Sequence, residues 1–121
     1  MVKNVSMESH KHSSGPKRAE AAIWLMLAPV MRALASPLRL RILDALTAAE
    51  QNVGDLASGL GIERSLASQH VHVLRHAGLV ESERIHLNVM VRPTRSARNL
   101  SRCCDKLLEC FRAKAPCLRR N

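Results

Sequence analysis

Gly61 to Val80 reads "GIERSLASQHVHVLRHAGLV", and this stretch decides the fold. Nothing between Gly61 and Gly78 breaks a helix. Ala67, Val71 and Leu74 fall at i, i+4, i+7 and draw one apolar stripe along it. The other side carries Ser65, Ser68, Gln69 and His72, again at helical spacing, with Arg64 and Arg75 beside them. A solvated helix face is ordinarily rich in Glu and Lys, whereas this one has a single Glu at its entrance and no Lys. Hydroxyls, an amide, an imidazole and guanidiniums are the donor and acceptor types that match base edges and phosphates in a major groove. A polar surface helix with no partner is the plainer alternative for this stretch taken alone.

Immediately upstream, "VGDLASGLGI" places Val53, Leu56, Ala57 and Leu60 at helical spacing and ends in Gly61. Two short helices joined by a tight turn containing Gly predict a helix-turn-helix, whose second helix enters the groove. The small Ala57 suits a close crossing of the pair. Before it, Ser36-Pro37 reads as a helix start, with Ser as N-cap and Pro in the first turn. "PLRLRILDALTAAE" follows, with Leu38, Ile42, Ala45 and Leu46 expected inward and Arg39 and Arg41 outward. Gln51 and Asn52 break that pattern.

Lys17 to Ala35 predicts a first helix, apolar on most sides, with Pro29 expected to kink it or start a new turn. Such a helix needs broad burial, in the core or against a second subunit. The same segment mimics a signal peptide, with basic residues, an apolar run from Ala21 to Met31, and Ala33-Leu34-Ala35. Arg32 interrupts the would-be cleavage region, and the run is about half the roughly 20 residues a membrane span requires. The expectation is therefore a cytoplasmic protein without a membrane partner.

Downstream of Gly78 the character changes. Leu79-Val80 and Val89-Met90-Val91 are β-prone runs flanking a polar segment, which predicts a two-stranded hairpin ended by Pro93. Ser96 to Lys114 predicts a closing helix, with Leu100, Cys104, Leu107 and Phe111 along one stripe. The organisation expected is a polar, disordered tail over residues 1–16, one domain over 17–114, and a basic tail over 115–121. His10 and His12 in the first tail could hold a metal only loosely.

Composition agrees with this plan. The chain has 121 residues, 46% apolar, with Trp24 and Phe111 as its aromatics. Its core must be built from aliphatic residues, which favours helices. Nineteen Lys and Arg against ten Asp and Glu leave a net charge of +9, which points to a polyanion, nucleic acid before an acidic membrane. No nucleophile–base pair, paired carboxylates or phosphate loop is present, which argues against an enzyme.

Helices, helix-turn-helix, hairpin and closing helix together make a mainly α winged helix-turn-helix with a small β-hairpin. "ALASPLRLRILDAL", "VGDLASGLGIERSLASQHVHVLRHAGLV" and the "ES" after it resemble the ArsR/SmtB family of winged-helix repressors, over roughly residues 30–92. The resemblance implies a homodimer built on the first and last helices, binding double-stranded DNA at an inverted repeat. It places Arg64, Ser65, Ser68, Gln69 and His72 on the recognition helix, with Arg75 alongside, and makes His70 structural or phosphate-facing. It also implies wing contacts to the minor groove, here by Arg84 or Arg92. Family wings carry a Gly at the tip and paired Tyr on the return strand, whereas this chain has His86, Met90 and Val91.

Founding members of the family bind soft metals through "C-V-C-D-L" at the start of the helix-turn-helix. Asn52-Val53-Gly54-Asp55-Leu56 stands there instead, without either thiolate, and no His follows His86 to make the zinc site of the last helix. No resident metal or cofactor is expected. His72 and His76, at i, i+4, could chelate an ion, but His72 lies on the DNA-reading face. Cys103, Cys104, Cys110 and Cys117 all sit near the C-terminus, contain no C-x-x-C pair, and read as reduced thiols. They either pack at a dimer seam or form a thiol sensor. The sequence names neither operator nor inducer. A thiol-rich metal-handling protein or a protein-interaction module on the same scaffold are the rival readings.

Overall fold

Ser36 shows how local chemistry starts this fold. Its backbone is extended and its hydroxyl accepts the Arg39 N–H at 3.3 Å, with Pro37 in the first turn, as an N-cap requires. The computed structural model describes the backbone of residues 15–114 and the side chains of residues 18–114. In chain order the elements are α1 (Gly15–Leu34), α2 (Pro37–Ala48), β1 (Gln51–Asn52), α3 (Val53–Leu60), α4 (Arg64–His76), β2 (Val80–Ile85), β3 (Asn88–Pro93) and α5 (Arg95–Lys114). Contacts divide the chain into two units, Met1–Arg32 and Ala33–Asn121.

In the first unit, α1 begins at Gly15, two residues before the expected start. It runs as one helix through Pro29 rather than restarting there. The remainder of the expected N-terminal tail, with His10 and His12, and the expected basic tail lie outside the described residues. Ile23, Trp24, Leu25 and Met26 on α1 are all more than half exposed.

The second unit holds an aliphatic core. Ile42, Leu43 and Leu46 of α2 meet Val53, Leu56 and Ala57 of α3 and Ala67, Val71 and Leu74 of α4. Leu79, Val80, Val91 and Ala97 close it from the sheet and α5. Two sequence expectations for α2 need correction: Leu43 is buried while Leu38 and Ala45 are half-buried, and Arg39 is half-buried rather than outward. Arg39 is drawn in because its Nε donates to the Ala33 carbonyl at 2.5 Å and its Nη1 reaches α4.

The sheet is three-stranded and antiparallel, in the order β1-β3-β2, rather than a bare hairpin. Gln51 pairs with Val91 and Asn52 with Met90, so the two residues that break the helical pattern form an edge strand. Their backbone groups serve β3, whose outer edge would otherwise be unpaired. The wing itself pairs Val80 with Pro93 through to Ile85 with Asn88. No single described helix is long and apolar enough to cross a membrane.

Candidate nucleic-acid interface

The helix-turn-helix is fixed by its caps. Asn52 caps α3, its Oδ1 accepting the Asp55 N–H at 2.7 Å while its Nδ2 donates to Asp55 Oδ2 at 3.1 Å. At the other end Gly61 adopts φ 70°, and the Ile62 N–H reaches back to the Ala57 carbonyl at 3.0 Å. That left-handed turn suits Gly because a Cβ would be strained there. It aims α4 away from α3 after only three residues. No side chain caps the first turn of α4, since Glu63 stands at its N-cap without a side-chain hydrogen bond.

On α4 the two faces separate as the sequence pattern requires. Ala67, Val71 and Leu74 are at most 3% exposed. Arg64, Ser65, Ser68, Gln69, His72 and Arg75 are all exposed. The guanidinium of Arg64 lies over Gly54 of α3, with its Cζ 3.9 Å from where a Gly54 side chain would begin. A Cβ at Gly54 would meet Arg64 only in ordinary contact and would crowd the capping Asn52 Oδ1 instead, at 3.3 Å.

His70 points the other way. Its Nδ1 lies 3.2 Å from Arg39 Nη1, tying α4 to α2, and the ring is half-buried. Burial first, and the Arg39 charge second, push its pKa below the ordinary histidine value. Arginine can only donate, so neutral His70 accepts at Nδ1. Its place in the fold is structural.

Arg75 joins the helix to the wing. Its Nη1 donates to Ser82 Oγ on β2 at 3.1 Å, and its Nη2 lies 2.9 Å from His72 Nδ1. The His72 and His76 rings meet edge-on, centroids 4.4 Å apart. Sequence reasoning missed Ser82, although the "ES" pair that contains it belongs to the resembling pattern. It missed the contact because a helix and a strand seven residues apart give no periodic signal.

On the wing, Arg84 is exposed and pairs in register with Val89. Arg92 is engaged by Glu83, Nη2 to Oε1 at 2.7 Å, which raises its pKa further through that hydrogen bond. Of the two wing arginines, Arg92 is thus tied to its own strand pair, while Arg84 is exposed. The tip is the two-residue turn His86-Leu87, with His86 at φ 58°, the left-handed position where family wings have Gly. Leu87 is 87% exposed.

The closing helix carries Cys103 and Cys110 exposed and Cys104 half-buried, all as free thiols; Cys117 lies outside the described residues. Cys104 lines an apolar groove of about 490 Å3 between α2 and α5, with Leu40, Leu43, Leu107 and Phe111. Among the described residues, no group of three or more His, Cys, Asp or Glu side chains could hold a metal ion.

Comparison with known proteins agrees with this geometry. A helix-turn-helix domain family matches residues 34–83. The transcriptional regulator NmtR of Mycobacterium tuberculosis is 38% identical over 78 residues, 64% of this chain and 63% of its own length. The nodulation protein NolR of Rhizobium meliloti is 38% identical over 81 residues, 67% of this chain and 65% of its own. The matches thus span less than two thirds of the length of these curated relatives. Among solved structures, the homodimeric winged helix-turn-helix DNA-binding domain of a possible ArsR-family regulator from Mycobacterium bovis superposes with a TM-score of 0.71. It is 28% identical, over 80% of this chain and 91% of that one. NolR from Sinorhizobium fredii, 30% identical, gives 0.66 over 79% and 95%.

Proposed function

Because this chain belongs to the ArsR/SmtB family of winged helix-turn-helix regulators, we propose that it is a transcriptional repressor that binds an inverted-repeat operator as a homodimer. The observation that carries the reading is the division of α4. Its apolar stripe is buried while Ser65, Ser68, Gln69 and His72 stand exposed together between Arg64 and Arg75. A face of that chemistry on the second helix of a helix-turn-helix suits base edges and flanking phosphates. Arg84 on the wing adds a cation for the neighbouring backbone, and the net charge of +9 supplies attraction without sequence preference.

Dimerisation is supported by what each unit leaves uncovered. Trp24, Leu25 and Met26 of α1 are 64%, 76% and 73% exposed, and Leu107 and Phe111 of α5 are 56% and 55% exposed. Apolar surface of that extent marks an interaction face. The relative from M. bovis is described as homodimeric. A two-fold dimer would present two recognition helices to half-sites about one helical turn apart, roughly 34–36 Å.

Thiol response completes the proposal. Cys103 and Cys110 are exposed on α5, and Cys104 sits half-buried in the groove beside it. Cys103 and Cys110 are seven residues apart on one helix, about 10.5 Å at 1.5 Å per residue, beyond the roughly 4.4–6.8 Å a disulfide spans. Oxidation would therefore link two chains through Cys103, Cys104 or Cys110, or tie Cys110 to Cys117, which lies outside the described residues, rather than join Cys103 to Cys110. The test is to sequence the DNA retained by the purified protein from a random duplex library, with and without reductant. An inverted repeat enriched more strongly under reducing conditions is expected. Absence of any enriched sequence would contradict the repressor reading, and equal enrichment in both conditions would contradict the thiol response.

A further inference from the structure

His72 and Arg75 stand three residues apart on α4, both exposed on the face that carries Gln69 and Ser68. The guanidinium of Arg75 is held from two sides. Its Nη1 donates to Ser82 Oγ at 3.1 Å, and its Nη2 lies 2.9 Å from His72 Nδ1. A guanidinium has five N–H donors, no acceptor, and keeps its charge in proteins. The hydrogen in the contact with His72 therefore belongs to Arg75, and His72 Nδ1 must be bare. A neutral imidazole with a bare Nδ1 carries its proton on Nε2. The His76 ring, edge-on at 4.4 Å and 74°, limits the swing of the His72 ring.

We propose that Arg75, anchored on the wing by Ser82, makes His72 a fixed hydrogen-bond donor through which α4 selects a guanine in each half-site. A free histidine offers one nitrogen of each kind and can turn either outward, so it discriminates poorly between bases. Here the accepting nitrogen is already used, and what remains for a base is the Nε2–H. In the major groove guanine presents two acceptors, N7 and O6, and no donor. Adenine sets a donor amino group beside its N7, cytosine presents its amino donor, and thymine crowds its O4 with a methyl group. Guanine is the edge that a lone donor meets without conflict. Because the same arginine bonds Ser82 on β2, the orientation of the reading ring depends on the wing as well as on the helix.

This inference rests on the DNA-reading function proposed above, and two measurements separate the two. The first needs no DNA: ring nitrogen NMR of the free full-length protein should show His72 as a single Nε2–H tautomer. Arg75→Ala should turn it into a mixture. The second is selection from a random duplex library by the wild type, His72→Ala and His72→Lys, each checked for helical content and melting. The wild type should prefer one guanine per half-site by roughly tenfold, equivalent to about 1.4 kcal/mol. His72→Ala should lose that preference and keep the others. His72→Lys, a donor with no acceptor, should retain it. A wild-type Nδ1–H tautomer would overturn the inference. An unchanged guanine preference in His72→Ala would overturn it too, while leaving the DNA-reading function standing. Failure of the wild type to enrich any sequence would overturn both.

Discussion

His70 adds a polar tie between the recognition helix and α2, meeting Arg39 from the inner side of α4. Burial and the neighbouring guanidinium favour its neutral form and lower its pKa in the folded chain. The sign follows from proton counting. The unfolded chain, with a histidine pKa near 6.5, takes up the proton first as the pH falls. Stability from this group is present above about 6.5 and is lost as the pH falls through the lower folded-state value. Urea midpoints should accordingly drop from pH 7 towards pH 5.5, and His70→Gln should show a shallower drop over that window. An identical pH dependence in the two proteins would show that His70 is not the group responsible. At this scale the sequence exposed the outward residues of α4 fully, because helical spacing alone separates them from Ala67, Val71 and Leu74. It could not expose Arg39–His70 or Arg75–Ser82, which depend on how three elements are brought together.

Thr94 shows the same limit one level up, where an element owes its position to a residue outside it. Its hydroxyl accepts the Ala97 N–H at 3.3 Å at the start of α5 and reaches the Gly78 carbonyl at 2.9 Å. Its own N–H donates to the Leu79 carbonyl at 3.0 Å. One residue thus caps the closing helix and holds it to the turn that ends α4. Thr94→Val, which keeps the shape and removes the hydroxyl, should cost about 1 kcal/mol in chemical denaturation, whereas Thr94→Ser should cost much less. Equal losses would mean that packing of the methyl, rather than the cap, matters. At Gly61 the reasoning is backbone strain alone, since a Cβ there would meet nothing within 4 Å while φ is 70°. Gly61→Ala should cost on the order of 1–2 kcal/mol in the same assay. The helices were legible because each has a cap, a breaker or a stripe. The strand β1 was not, because two polar residues have no periodicity and their partners Val91 and Met90 lie some forty positions away.

For the molecule as a whole, charge and uncovered apolar surface set the behaviour. Trp24 is the single tryptophan and is 64% exposed on α1, so it reports directly on the proposed dimer. Its emission should move to longer wavelength on dilution through the dimer dissociation range; an unchanged spectrum across a measured change in mass would place the seam elsewhere. The central claim, that the exposed face of α4 reads DNA, is tested most directly by affinity for the selected operator and for a scrambled duplex, measured against salt. Wild type, Gln69→Ala and Arg98→Ala should be titrated side by side, since Arg98 is exposed on α5 rather than on the recognition helix. If a dimer neutralises roughly 6–10 phosphates, log K for the wild type should fall with log salt at a slope of roughly −5 to −9. Gln69→Ala should give up about 1–3 kcal/mol of the preference for the operator, and Arg98→Ala should give up none. A slope shallower than about −2, or equal loss of preference in the two variants, would contradict the claim.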